Sequence, residues 1–271
     1  MKKIKISDIK SVAVVLAVVI LIVGVFASFG GASSGGSAAE ETEYLAHNIG
    51  LELPMTNGRI SFLGDSITTY EGITNTATTG LDAVAGSVYY NSDKISMYDT
   101  YWYKSAKALG YSLLVNNSCN AGRVTDTHDT MPSAVDRASK LHESYAKPDV
   151  IVVYMGTNDL AHEVALDDFE TSYTDMLAVI KTNYPNANVY CCTLLPESRT
   201  ADINYLRLDF NEVIREATEN AGYTVIDFAE EIPSWNYTEY TIDDGSLRVH
   251  PNENGMDKLA SVVISAIKDN R

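Results

Sequence analysis

The chain has 271 residues, of which 45% are apolar and 21% charged, enough to bury the core of one sizeable domain and too apolar for general disorder. Its 36 acidic residues outnumber its 20 lysines and arginines, giving a net charge of −16. Such a surface repels polyphosphate and anionic lipid, which argues against nucleic acid as a partner and against electrostatic docking onto a membrane.

Lys2, Lys3, Lys5 and Lys10 precede an uncharged apolar run of 18 residues from Val12 to Phe29. As a helix the run spans roughly 27 Å, close to the ~30 Å of a bilayer core. The lysines would hold the start in the cytoplasm and send the rest outward. A cleaved signal peptide and an uncleaved anchor both fit residues 1–29. The run is longer than a usual signal core, and Ser37-Ala38-Ala39 lies well past its end, which favours the anchor. Either way the rest is expected at the extracellular face of the membrane or secreted, with membrane contact through the N-terminal helix alone. Residues 30–43 are Gly/Ser/Ala-rich and then acidic, a flexible tether. That leaves 44–271 as the domain, whose folded part begins between Tyr44 and Arg59.

Short apolar runs then alternate with amphipathic stretches. Ile60–Leu63, Ser112–Val115, Asp149–Met155, Asn188–Leu194 and Tyr223–Phe228 read as strands buried on both faces. Asp99 can cap a helix ending at Gly110. Asp167 or Asp168 starts another, with Phe169, Tyr173, Met176, Leu177 and Ile180 on one face and Pro185 as its stop. Phe210, Val213, Ile214 and Ala217 mark a third helix, closed by Gly222; Met256, Leu259, Val263 and Ile267 mark the last. This alternation predicts an α/β fold, a parallel sheet covered on both sides, with chemistry at the carboxyl edge of the strands.

Three strand ends carry polar residues suited to such an edge. The first runs into Gly64-Asp65-Ser66, the second into Asn116-Asn117-Ser118-Cys119-Asn120-Ala121-Gly122-Arg123, the third into Gly156-Thr157-Asn158-Asp159. Val249-His250-Pro251-Asn252 precedes the last helix, whereas His47, His128, His142 and His162 read as surface residues. A serine or asparagine after a strand is, taken singly, more often a turn or cap residue than a catalytic one.

In this order the four blocks resemble the SGNH (GDSL-type) hydrolases, over residues 59–269, and most of all a bacterial exported branch with an Asn-Asn-Ser-x-x-x-x-Arg-Val second block, here Asn116 to Val124. The resemblance implies a three-layer α/β/α sandwich with a five-stranded parallel sheet. It implies a serine esterase with Ser66 as nucleophile and His250 as base, since a serine hydroxyl needs a positioned imidazole to remove its proton. It also implies oxyanion donors from the Ser66 amide, a second-block amide and the Asn158 side chain. The family's second-block donor is usually glycine; aligning Asn116 with the block's asparagine assigns Ser118, and a register one residue later Cys119. The family's acid stands three residues before the histidine, where this chain has Leu247. Asp244, reaching back across Gly245, is the favoured substitute; Asp243 and the Leu247 carbonyl are the alternatives, and both aspartates are by default turn formers.

Cys119, Cys191 and Cys192 show no metal or disulfide spacing and read as buried free thiols, and no cofactor or metal is implied. The long segment Thr69–Met97 and the helix after it hold Tyr70, Tyr89, Tyr90, Tyr98, Tyr101 and Trp102. Aromatics at a site mouth suit stacking on sugars, pointing to O-acyl or O-acetyl groups on extracellular glycans; the alternative is that they pack the helix onto the sheet. Acyl transfer by the same Ser-His pair and a non-catalytic surface binding module are the rival functions.

Overall fold

The computed structural model describes residues 57–74, 88–125, 132–196, 201–243 and 248–270, with main chain only over 201–205. All of them belong to the compact unit Thr56–Arg271. The apolar run Val12–Phe29 lies outside the described residues, among which no helix is long and apolar enough to cross a membrane.

In chain order the elements are β1 (Arg59–Gly64), α1 (Tyr101–Leu109), β2 (Ser112–Ser118), α2 (Ala134–Arg137), β3 (Val150–Tyr154), α3 (Thr157–Ala161), α4 (Leu166–Asn183), β4 (Asn188–Cys192), α5 (Ala201–Asn220), β5 (Thr224–Ile226), α6 (Phe228–Glu231), α7 (Tyr237–Tyr240) and α8 (Glu253–Asp269). The five strands form one all-parallel sheet in the order β2-β1-β3-β4-β5, as expected. The central β3, Val-Ile-Val-Val-Tyr, is buried throughout, because a strand covered on both faces has no solvent side to alternate toward. The step from β1 to β2 runs opposite to the later steps, so right-handed crossovers send α1 to one face and α2, α4 and α5 to the other. Packing agrees: α8 lies on α1, while α4 touches both α2 and α5. The reversal leaves a crevice at the carboxyl ends of β1 and β3.

The expected helix faces are buried: Phe169, Tyr173, Met176, Leu177 and Ile180 in α4, and Met256, Leu259, Val263 and Ile267 in α8. Boundaries differ. Thr100, not Asp99, caps α1, its side chain accepting from the Tyr103 amide. Asp99 ends the preceding 3₁₀ turn and pairs with Lys104 at 3.2 Å. Asp167 and Asp168 fall inside the first turn of α4, where negative charge suits the helix dipole. The strand β2 runs past Val115 through Asn116 and Asn117, whose side-chain NH2 groups donate to the Thr68 carbonyl and to the Arg137 and Lys140 carbonyls inside the protein. The three cysteines are buried thiols outside any disulfide, as expected. His142 is half-buried against the Tyr184 hydroxyl, 3.0 Å away, rather than on the surface.

Candidate active site

The register aligns three strand ends, with Gly64 level with Ser118 on one side and Tyr154 on the other. The strand β1 has no room for a side chain at its last residue: a Cβ on Gly64 would run into Thr68. Asp65 then caps a 3₁₀ turn, Ser66–Thr68, its Oδ1 accepting from the Ile67 amide at 2.9 Å. The turn is tied down at each residue. Thr69 Oγ1 donates to the Ser66 carbonyl (2.8 Å), Asn116 Nδ2 donates to the Thr68 carbonyl (2.8 Å), and Thr68 Oγ1 bonds the Tyr101 hydroxyl (2.8 Å).

His250 comes from the other end of the chain. Thr241 and Pro251 form a bridge, the Ile242 amide donates to the His250 carbonyl (2.9 Å), and Asn252 caps α8 through the Gly255 amide. These contacts bring His250 Nε2 to 2.9 Å from Ser66 Oγ. The two residues are 184 positions apart, and the structure joins them directly.

Asn158 sits in the first turn of α3, entered through Gly156, whose φ of +119° only glycine tolerates well. Its Nδ2 donates to the Gly122 carbonyl at 2.9 Å, leaving one amide hydrogen for another acceptor. Ser118 is placed differently. The Cys119 amide donates to the Gly64 carbonyl, so in a parallel ladder the Ser118 amide faces the opposite, outer edge of β2 and not the Ser66 side. The second-block residue that meets the Asn158 side chain is Gly122, which the sequence reading passed over although a glycine stood in the polar segment itself. Asp159 fastens this segment. It accepts from the Val124 amide (2.8 Å), the Thr125 amide (3.0 Å) and the Thr125 hydroxyl (2.8 Å).

Asp244 and Leu247, two of the groups considered for orienting His250, lie outside the described residues. Asp243 is exposed and ion-paired to Arg248. Of the aromatics, Tyr70, Tyr90, Tyr101 and Trp102 are buried, so the packing alternative holds for them; Tyr89 and Tyr98 are half-buried. Among the described residues no group of three His, Cys, Asp or Glu side chains is placed to hold a metal.

Two buried ionisable groups underlie the site. Arg137 is 0% exposed and its Nη1 donates to the carbonyls of Gly64 (3.1 Å) and Asn117 (2.7 Å). Burial pushes the Asp65 carboxyl up from 3.8 to about 7, against the Ile67 amide, the Thr157 hydroxyl and the Arg137 charge, while Asp159 adds to the rise. An unfolded chain releases that proton near 3.8, so between about pH 4 and 7 the folded protein holds a proton that the unfolded chain has lost, and stability falls as pH rises. In urea unfolding, Asp65→Asn is expected to gain about 2–4 kcal/mol on the wild type between pH 4 and 7. A gap that stays constant across that range would contradict the buried-proton account.

Residues 62–258 match the sequence model of the GDSL-like Lipase/Acylhydrolase family. A stretch of 95 residues is 27% identical to the cellulase/esterase CelE of Acetivibrio thermocellus, covering 34% of this chain and only 12% of that protein. Among solved structures, a candidate GDSL-like lipase from Bacteroides ovatus superposes with a TM-score of 0.58 at 22% identity, over 78% of this chain and 98% of the other. A family two carbohydrate esterase from Clostridium thermocellum superposes with a TM-score of 0.56 at 20% identity, over 79% of this chain and 64% of the other. These structural likenesses establish a shared fold.

Proposed function

This chain belongs to the GDSL-like lipase/acylhydrolase family and is an ester hydrolase of that type, and we propose that it removes small O-acyl groups, O-acetyl foremost, from extracellular carbohydrate by Ser66–His250 catalysis. The observation that carries the reading is the 2.9 Å contact between Ser66 Oγ and His250 Nε2 at the carboxyl edge of the sheet. His250 takes the hydroxyl proton as Ser66 Oγ attacks the ester carbonyl. The negative charge on the carbonyl oxygen is received by the Ser66 amide, which opens a helical turn, and by the second hydrogen of Asn158 Nδ2. The second-block loop supports this donor at Gly122, whose carbonyl accepts from Asn158 Nδ2 and holds the side chain in place. Collapse of the intermediate expels the sugar alkoxide, which takes the proton from His250. Water, activated by the same imidazole, then releases the acyl group and restores Ser66.

Carbohydrate is favoured over lipid because the surface is strongly acidic, with a net charge of −16. The likeness to a family two carbohydrate esterase points the same way. The lysine cluster ahead of Val12–Phe29 supports an exported enzyme held at the membrane by that segment, with the catalytic domain outside. A third group to orient His250 is proposed to come from Asp244. The test pairs turnover of p-nitrophenyl acetate, p-nitrophenyl palmitate and acetylated xylan with mass spectrometry after fluorophosphonate treatment. Labelling of Ser66 together with release of acetate from xylan is expected. Preference for palmitate would sink the carbohydrate reading, and a folded protein with neither turnover nor label would sink the hydrolytic mechanism.

A further inference from the structure

The ring of Tyr89 lies flat on the imidazole of His250, with centroids 3.4 Å apart and planes at 11°. Lys94 Nζ stands 3.5 Å from the centre of the same tyrosine ring and donates to the Tyr89 carbonyl at 2.7 Å. Two groups this close to one ring centre cannot share a face, so Tyr89 is sandwiched between the ammonium and the imidazole. Its neighbour Tyr90 packs edge-on against it (4.8 Å, 84°) and donates its hydroxyl to the Pro251 carbonyl at 2.7 Å. The main chain of Tyr89 reaches the other catalytic partner. Its amide donates to Thr69 Oγ1 (2.9 Å), and Thr69 Oγ1 donates to the carbonyl of Ser66 (2.8 Å).

We propose that Tyr89, backed by Lys94, is the positioning residue for His250: its ring fixes the plane of the imidazole while its amide, through Thr69, fixes the turn that carries Ser66. The inference rests on the reading of Ser66 and His250 as nucleophile and base. One residue thereby spans both reacting groups and sets their separation, alongside the hydrogen bond on the far nitrogen of the imidazole proposed above from Asp244. Lys94 adds a charge of defined sign. Its ammonium lies about 7 Å from the imidazole centre, the two separations taken end to end. A cation there penalises the imidazolium and keeps His250 a neutral base to lower pH. The other ionisable groups to weigh are Asp65 next to Ser66, the Arg248–Asp243 pair on the segment of His250 itself, and Asp244, proposed above to orient the ring and common to wild type and Lys94→Gln alike.

The test uses the full chain with three substitutions. Tyr89→Phe keeps the stack and is expected to retain kcat within about threefold. Tyr89→Leu removes it and is expected to lower kcat on p-nitrophenyl acetate by about 10- to 100-fold with little change in KM, as for a misplaced catalytic group. Lys94→Gln is expected to raise the acidic limb of the kcat/KM profile by about 0.5–1 pH unit. An NMR titration of the His250 ring proton should move in the same direction, a readout that needs neither turnover nor the leucine variant to fold. Wild-type kcat in folded Tyr89→Leu, or an unmoved His250 titration in Lys94→Gln, would overturn the proposal. Loss of turnover and of Ser66 labelling in the wild type would instead remove the hydrolytic reading, leaving the titration to judge the stack by itself.

Discussion

Replacing Ser66 with alanine is expected to lower kcat on p-nitrophenyl acetate by about 10⁴-fold or more, His250→Ala to cost about as much, and the double variant to be no worse than either. The non-additivity follows from the 2.9 Å contact between the two side chains. Without the imidazole the hydroxyl keeps its proton, and without the hydroxyl the imidazole has nothing to activate, so each deletion removes the whole unit. Activity left in all three variants would come from the Ser66 amide and Asn158 polarising the carbonyl for direct attack by water. Initial rates on protein with wild-type unfolding curves check this. A double variant markedly slower than either single one would mean that the residues act independently, which the geometry forbids.

Arg137→Met is expected to destabilise the protein by about 3–5 kcal/mol, read from urea unfolding at neutral pH. Methionine restores much of the buried volume but none of the donors. The carbonyls of Gly64 and Asn117 lose their shared Nη1 donor, and that of Pro132 loses Nε at 3.3 Å. The charge goes too, and with it one influence that favours ionised Asp65. Arg137→Lys retains the charge without the planar array of donors and is expected to fall between the two. Combining Arg137→Met with Asp65→Asn should cost less than the sum of the separate effects, since the neutral partner no longer needs the cation. Additive losses would show that Arg137 acts through packing alone. Because Gly64 and Asn117 lead into the first two site loops, the surviving folded fraction of Arg137→Met should also show lower kcat.

Much of this architecture was legible in the chain because β-branched runs buried on both faces, such as Val150–Tyr154, leave one reading, and because α4 and α8 hold apolar residues at helical spacing over several turns. Ser66, Asn158 and His250 stood out because each lies next to the end of such an element, and the structure brings Ser66 and His250 into contact. What escaped depended on contacts between distant segments. Asn116 and Asn117 look like the end of a strand, yet β2 continues through them because Thr68, Arg137 and Lys140 offer their carbonyls from elsewhere. Arg137, in a short polar stretch, resembles a surface residue until the carbonyls of Gly64 and Asn117 are seen converging on it. The tyrosines were ambiguous for the same reason. Nothing in their spacing tells that Tyr90 and Tyr101 are buried while Tyr89 covers the His250 ring. Spacing was equally silent on Ser118, whose amide faces the outer edge of β2 because successive amides along a strand point in opposite directions.

The 184 residues between Ser66 and His250 also set a timetable. The strand bearing the serine leaves the ribosome well before the histidine, by roughly 10–40 s at the ~5–20 residues per second of synthesis. Throughout that time the nascent chain carries a serine no more reactive than any other. The proposed base arrives with the segment that leads into α8, which settles against α1 where Asp257 meets Lys104. On the proposed mechanism, arrival of α8 thus acts as a built-in arming step, and a chain cut short before it is expected to be inert rather than a loose, indiscriminate esterase.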